Sequence, residues 1–273
     1  MPELPEVEQV KNSLKPYIIF KTIEDIDINV PRLVKSPTPE LFVQGLVGKV
    51  IVDLERRGKY LIFHLSNKQM LVVHLRMTGA LIYKPTQENA PDKPRIIFRL
   101  NEGVLYYCDT RTLGTLDLID LIDLPKIKGL YSLGVEPISD SFTLEYLQDK
   151  MCKSKRLLKA FLLDQRMIAG LGNIYVDEAM AIAKLNPKKT TTTLNKKELK
   201  ALHAAVKHVI AQGIANKGTT FRDYKDADGN KGNNQEHLLV YGRNGKACKG
   251  CGTTLVYEKI AGRGTVYCPH CQP

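Results

Sequence analysis

The sequence predicts an α+β multidomain protein. It has an N-terminal helix with an antiparallel β-sandwich, a helical domain with a helix-turn-helix-like pair, and a C-terminal β-ribbon held by paired cysteines. Three observations predict this. One apolar-faced helix is followed by short alternating runs. The period then turns helical beyond a Pro-containing break at Gly134–Asp140. Cys248-x2-Cys251 and Cys268-x2-Cys271 close the chain with sixteen residues between the pairs. The expected boundaries are 1–135, 136–235 and 236–273.

The N-terminal helix is expected from Val7, Val10 and Leu14, which share one side. Thr22–Val30 and Lys49–Glu55 read as strands, as do Lys59–Leu65, Met70–Leu75 and Ala80–Tyr83. Arg95–Leu100 and Val104–Cys108 flank Asn101-Glu102-Gly103, a hairpin signal. A sandwich behind the first helix buries these faces. Past the break, Thr143–Met151 and Arg156–Asp164 read as helices, the second with Leu158, Phe161 and Leu162 on one side. Gly170-Leu171-Gly172-Asn173 interrupts before Ile174–Ala183 resumes. Asn173 is expected to cap that helix, to hold a phosphate, or both. Leu194-Asn195-Lys196-Lys197-Glu198 supplies a hydrophobic staple and a capping box. The helix it starts buries Leu199, Leu202, Val206, Val209, Ile210 and Ile214. The polar, Gly-rich stretches Gly218–Tyr224 and Asp228–Asn234 are expected to be mobile, as a lid or as a connector. Thr253–Lys259 and Thr265–Tyr267 read as ribbon strands, with Arg263 at a Gly-flanked tip.

A length of 273 residues suggests two domains as a soft prior. No apolar run approaches the ~18 residues of a membrane span, and the acidic start is wrong for a signal peptide, so a soluble, cytosolic protein is expected. The formal charge is +11. Residues 1–135 carry 18 Lys/Arg against 16 Asp/Glu, and 136–273 carry 22 against 13, so the excess is +2 and +9. That asymmetry suits a polyanionic partner or a set of dispersed, solvated lysines. Four of the six cysteines fall in the terminal pairs. Their spacing is that of a tetrahedral four-thiolate zinc site, structural because sulfur fills every position.

The first eight residues, Met1-Pro2-Glu3-Leu4-Pro5-Glu6-Val7-Glu8, carry candidate chemistry. Removal of Met1 would leave Pro2 as a secondary amine. A free α-amino group has a pKa of roughly 8, so about a tenth of it is unprotonated at neutral pH. Attack by such an amine on a sugar C1′ gives an obligatorily cationic iminium, an electron sink. Glu3 and Glu6, three apart, could set acids beside it for proton transfer, or simply favour a helix start. Arg56-Arg57-Gly58-Lys59 places Lys59 on a tight turn, where it could reach a phosphate or a leaving oxygen, or be an ordinary hairpin lysine. Met77 and Leu113 sit in loops after strands. They are either core residues or apolar wedges entering a base stack, with Arg111 able to bond the partner left behind.

The start Pro2–Glu8, His74-Leu75-Arg76-Met77, Gly170–Tyr175, Gly218–Tyr224 and the Cys pairs with Arg263-Gly264-Thr265 together resemble the bacterial formamidopyrimidine-DNA glycosylase family, in order over nearly the whole chain. Leu4 argues against the sister enzyme endonuclease VIII, which has Gly there. The resemblance implies a helix-two-turn-helix domain, one structural Zn(2+), and a monomer acting on damaged double-stranded DNA that crosses a groove between two halves. It implies a bacterial, cytoplasmic, nucleoid-associated enzyme of base excision repair. Such an enzyme excises 8-oxoguanine and formamidopyrimidines and cuts the abasic strand by β,δ-elimination. By motif, the catalytic set is Pro2 (Schiff base), Glu3 (acid/base), Glu6 (support), Lys59 (elimination) and Arg263 (phosphate near the lesion). DNA-binding positions are His74, Met77, Arg111, Leu113, Lys155, Lys159, Asn173 and Tyr241. Thr219, Thr220, Phe221, Arg222 and Tyr224 form the lesion loop, and Cys248, Cys251, Cys268 and Cys271 hold the metal. The chain departs from the family at Thr112 and Leu113, which replace an Arg and a Phe, so the wedge is aliphatic and recognition of the opposite cytosine is expected to be looser. Phe221 replaces a Leu, and Lys93-Pro94-Arg95 lacks the usual histidines. The alternatives are an endonuclease VIII-like enzyme for oxidised pyrimidines and a non-catalytic damaged-DNA-binding zinc protein.

Overall fold

The computed structural model describes residues 1–273, the side chain of Asn89 excepted. The chain forms two compact units, Met1–Tyr131 with Asn216–Asn233, and Ser132–Ala215 with Asn234–Pro273. Residues 216–233, grouped by sequence with the middle domain, thus pack with the first unit.

In the first unit, helix α1 (Leu4–Ile18) starts where Pro5 occupies the first turn, a place at which its missing N–H costs nothing. Leu4, Val7, Val10, Leu14 and Ile18 form its buried stripe. Strands β1 (Ile23–Ile28), β6 (Gly79–Lys84), β7 (Ile96–Leu100) and β8 (Val104–Asp109) form an antiparallel sheet in the order β1-β7-β8-β6. Its β7–β8 hairpin turns at Asn101-Glu102-Gly103, as expected. Gly103 is at φ +82°, and any Cβ there would meet Tyr83 Oη at 2.2 Å, so the turn needs glycine.

The second sheet runs β2-β9-β5-β4-β3, from β2 (Val34–Ser36), β3 (Ile51–Arg57), β4 (Tyr60–Leu65), β5 (Gln69–His74) and β9 (Thr115–Asp120). Its pairings are antiparallel except for β2, which lies parallel to β9 and departs from the expected all-antiparallel pattern. Phe63, Leu71, Phe98 and Leu105 from the two sheets join Val7, Val10 and Leu14 of α1 in one core. Helix α2 (Pro39–Leu46) was not anticipated. Thr38 Oγ1 caps it, Pro39 opens it, and Phe42 and Leu46, four apart, are buried. After β9 the chain turns through Leu121–Lys126 into the short α3 (Lys128–Tyr131).

The second unit holds α4 (Leu144–Cys152), α5 (Leu158–Leu163), α6 (Asn173–Ile182) and α7 (Lys196–Ala215). Thr143 Oγ1 accepts the Tyr146 N–H at 3.0 Å to start α4. The Asn195/Glu198 capping box forms as expected, with bonds of 2.9 and 3.0 Å, and α7 buries Leu199, Leu202, Val206, Val209 and Ile210, while Ile214 is only half-buried. Helix α5 is shorter than the expected 156–164 because Leu157 is extended and Asp164 leaves the helix. The Arg166 guanidinium, with Arg156, holds the Asp164 carboxyl well below the usual carboxylate range. Strands β10 (Val256–Ile260) and β11 (Arg263–Tyr267) pair antiparallel across Ala261–Gly262.

Two acids on the otherwise apolar α6, Asp177 and Glu178, are buried. Glu178 uses both carboxylate oxygens on the chain leading into the ribbon: Oε2 accepts Leu239 N–H at 2.7 Å, and Oε1 accepts Val240 at 2.9 Å and Tyr241 at 2.8 Å. A glutamine would turn an N–H2 toward at least one of these donors. Glu178→Gln is therefore expected to lower stability by about 1–3 kcal/mol and to speed amide exchange at Leu239–Tyr241; unchanged exchange there would contradict the anchor.

Candidate active site and nucleic-acid interface

The first residues are fixed by one buried carboxylate. Glu6, in the first turn of α1, is 1% exposed. Its Oε2 accepts the Glu3 N–H at 2.8 Å and its Oε1 accepts the Thr219 N–H at 2.6 Å. Pro2 and Glu3 are buried, while Met1 ahead of them is 45% exposed, so the methionine is the accessible part of the terminus. Gly218 allows the approach. It is at φ +83°, and a Cβ there would lie 2.9 Å from Glu6 Cγ and 3.1 Å from Tyr224 Cε1.

The loop that was expected to be mobile is tied down at its base. Thr220 Oγ1 donates to Tyr224 O at 3.2 Å and accepts from Gly232 N at 3.0 Å, and Tyr224 Oη donates to Lys217 O at 3.1 Å. Burial, with the Glu6 charge next, pushes the Tyr224 phenol well above its ordinary value. Thr219, Thr220 and Tyr224 are therefore interior, and Phe221 and Arg222 form the exposed tip.

Lys59 follows Gly58, whose φ of +57° makes the tight β3–β4 turn, and is itself buried. Arg56 braces that turn: its Nη1 donates to Gly58 O at 3.1 Å and its Nε to Glu8 Oε2 at 2.6 Å, which links the turn to α1. Burial works against a charge on Glu8, but Lys11 and Arg56 hold its carboxyl below the ordinary value. His74, at the end of β5, is 8% exposed. Burial, and then the Arg76 and Lys59 charges, lower its pKa to about 3, so it is a neutral imidazole at physiological pH. Its Nδ1 accepts the Arg76 N–H at 3.0 Å, which makes Nε2 the protonated nitrogen.

Met77 and Leu113 are exposed at 36% and 46%, and Arg111 is exposed beside them, so both loop tips face outward rather than into the core. Asp109, which the sequence reading passed over, organises both loops from beneath. Its carboxylate, 2% exposed, accepts the Thr78 hydroxyl from the Met77 loop. It also accepts N–H groups of Arg111 at 3.2 Å and of Leu113 and Gly114 at 2.8 Å. An Asp opening a turn is a legible signal for such N–H capture. Arg32 donates to Thr112 Oγ1, the position where the resemblance lacks an arginine.

In the second unit Lys155 is exposed and Arg263 stands exposed at the ribbon tip, while Tyr241 is half-buried with its N–H on Glu178. Lys159 corrects the expectation of a backbone-binding lysine. It is 0% exposed, and its ammonium donates to Asp177 Oδ1 at 2.7 Å, Thr265 Oγ1 at 2.6 Å and Gly264 O at 3.1 Å, which uses its three protons. Asn173 is also corrected as a cap: Gly172 is the cap residue, and Asn173 Nδ2 donates to Gly264 O at 2.9 Å. The Asp-Glu pair at 177–178 inside an apolar helix was the signal for these buried anchors. At the end of the chain, Sγ atoms of Cys248, Cys251, Cys268 and Cys271 all lie within 4.8 Å of one another. Backbone N–H groups of Gly250 and Cys271 point at Cys248 and Cys268 sulfurs at 3.4 and 3.3 Å. Four converging thiolates fit one structural zinc ion with no open position.

Residues 1–116 match the formamidopyrimidine-DNA glycosylase N-terminal domain, 133–225 its H2TH domain, and 245–273 the zinc finger found in FPG and IleRS. A formamidopyrimidine-DNA glycosylase of Carboxydothermus hydrogenoformans is 44% identical over 272 residues, and one of Heliobacterium modesticaldum is 44% identical over 276, each with 100% of both chains covered. Among solved structures, the Lactococcus lactis Fpg in complex with abasic-site DNA is 36% identical with a TM-score of 0.92. MutM in complex with carbocyclic 8-oxo-G DNA is 35% identical with a TM-score of 0.92. Each covers 99% of both chains. With all three domains matched in order and full-length relatives at this identity, the chain belongs to the formamidopyrimidine-DNA glycosylase family.

Proposed function

We propose that this chain is a bifunctional DNA glycosylase and AP lyase of base excision repair that removes oxidised purines from duplex DNA and then cuts the abasic strand. The observation that carries the reading is the Glu6 clasp, which holds the Pro2–Glu3 segment in place through two buried N–H bonds. Relatives that carry the same three domains are named for formamidopyrimidine excision, and the similar solved structures hold abasic-site, Fapy-dG and 8-oxo-G DNA.

Once Met1 is removed, the Pro2 nitrogen attacks the sugar C1′ of an extruded lesion nucleotide. The base departs, the C1′–O4′ bond then opens as a proton passes to O4′, and the nitrogen becomes an iminium to the ring-opened sugar. That cation acidifies the neighbouring C2′–H, so loss of the 3′ phosphate and then of the 5′ phosphate follows as β- and δ-elimination. Glu3 exchanges protons at the sugar, Glu6 keeps the segment in register, and Lys59 serves the elimination steps. Arg263 and Lys155 hold phosphates, and Met77, Arg111 and Leu113 occupy the space that the extruded base leaves. His74, neutral at working pH, contributes Nε2–H as a hydrogen-bond donor rather than a charge. The exposed Phe221 and Arg222 cover the lesion above the fixed base of their loop. One structural zinc sets the ribbon. The working form is a monomer on damaged double-stranded DNA, in the bacterial cytoplasm at the nucleoid. No described helix is long and apolar enough to cross a membrane.

Duplexes bearing 8-oxoguanine or thymine glycol, incubated with the full chain, are expected to be cut preferentially at 8-oxoguanine. Preference for thymine glycol would favour oxidised pyrimidines, and no cutting of either would refute the enzyme reading. Glu6→Gln presents an N–H2 to one of its two N–H partners and is expected to slow single-turnover cleavage roughly 10- to 100-fold with little change in duplex affinity. An unchanged rate would remove Glu6 from the site.

A further inference from the structure

The exposed tip residue Arg263 is held by a buried assembly that no part of the proposed chemistry uses. The turn beneath it is tightly specified: Ala261 and Gly262 both adopt positive φ, +51° and +74°, and Arg263 opens β11 opposite Ile260. The carbonyls of Arg263 and Gly264 are gripped from below. Thr265 Oγ1 donates to Arg263 O at 3.1 Å, while Gly264 O accepts both Asn173 Nδ2 at 2.9 Å and Lys159 Nζ at 3.1 Å. Lys159 also donates to the Thr265 hydroxyl at 2.6 Å, which leaves that hydroxyl's own proton aimed at Arg263 O. Asp177, in turn, pairs with Lys159 at 2.7 Å and accepts the Val266 N–H at 3.4 Å. Lys159 and Asp177 have 0% side-chain exposure, and Thr265 is likewise buried.

A buried ion pair is a poor device for stability alone, since an apolar pair of similar volume would serve as well or better. It is a good device for fixing direction, because an ammonium with three designated acceptors tolerates one arrangement. Lys159 donates to Gly264 O and Thr265 Oγ1 on the β11 segment beside Arg263 and to Asp177, the acid that bonds that segment. We infer that Lys159 and Asp177 are positioning residues, which set the ribbon tip so that the Arg263 guanidinium meets its phosphate in register. This inference rests on the proposed role of Arg263 at DNA.

The test is a double-mutant cycle on the full zinc-loaded chain, with single-turnover cleavage of an 8-oxoguanine duplex at saturating enzyme as the readout. Lys159→Met with Asp177→Asn leaves no unpaired buried charge. It is expected to keep one zinc per chain and a cooperative thermal transition, yet to cleave roughly 10- to 100-fold more slowly. Combined with Arg263→Ala, the same pair of changes is expected to cost nothing beyond Arg263→Ala alone, because the residue they position is gone. Rates that multiply in the combined variant, or a wild-type rate in Lys159→Met/Asp177→Asn, would overturn the inference. An Arg263→Ala variant that cleaves normally would instead overturn the reading of Arg263 itself. Should the paired variant fail to fold, Thr265→Val, which removes only the hydroxyl link, carries the same cycle: an Arg263-dependent loss supports the inference, and an Arg263-independent or absent loss overturns it.

Discussion

A single carboxylate joins the two ends of the first unit. Glu6 accepts one N–H from the N-terminal segment and another from Thr219, 213 residues later in the chain, and it does so from the interior. A buried carboxylate is tolerable only when its oxygens are occupied by donors, so the carboxylate that holds the Glu3 N–H also requires the 216–233 segment to return to it. The neighbouring features follow from that requirement. Gly218 must lack a side chain for the loop to approach Glu6, and Gly232 must lack one because a Cβ would lie 2.0 Å from Gly218 O. Tyr224, itself buried, has its ring against the Gly218 side of the junction.

The same solution recurs wherever an exposed side chain needs a fixed base. Asp109 gathers the N–H groups of the Arg111 and Leu113 loop and the Thr78 hydroxyl of the Met77 loop, Glu178 gathers Leu239–Tyr241, and Asp177 with Lys159 secures the ribbon beside Arg263. Met77, Arg111, Leu113 and Arg263 are at the surface while their anchors are interior acids, and Tyr241 beside Glu178 is half-buried. Surface charge supplies attraction that salt screens, and the buried acids supply direction that salt does not reach. Direction matters more for the chemistry, since elimination at one sugar depends on the placement of a few atoms.

The hydrophobic periodicity made most of the architecture legible. Val7, Val10 and Leu14 marked α1, the Asn101–Gly103 turn marked the β7–β8 hairpin, Asn195 and Glu198 marked the start of α7, and the Cys spacing marked the ribbon. Helix α2 was missed although Thr38-Pro39 and the Phe42/Leu46 spacing signal it. Strand β9 was missed although Thr115–Asp120 is as long as β4 and β5 and Leu116 and Leu118 alternate with Thr115 and Asp117. Pro2, Glu3, Lys59, Met77 and Arg111 draw attention by residue type and position alone. The anchors are marked more faintly: an Asp that opens a turn at 109 and an acid pair inside the apolar α6 are visible in sequence, but the distant donors that Asp109 and Glu178 accept, Thr78 and Leu239, are not. Lys159 shows the limit most clearly: the family resemblance implies a backbone-binding lysine, and the tertiary structure turns it inward toward Asp177.

The account centres on an N-terminal secondary amine acting as the covalent handle on the lesion sugar. Its most direct test is borohydride reduction of the chain with an 8-oxoguanine duplex, followed by peptide mapping of the adduct by mass spectrometry. The account predicts a preparation lacking Met1, with the deoxyribose remnant attached at the Pro2 nitrogen. An adduct on Lys59 or any other lysine, with Pro2 unmodified, would contradict it.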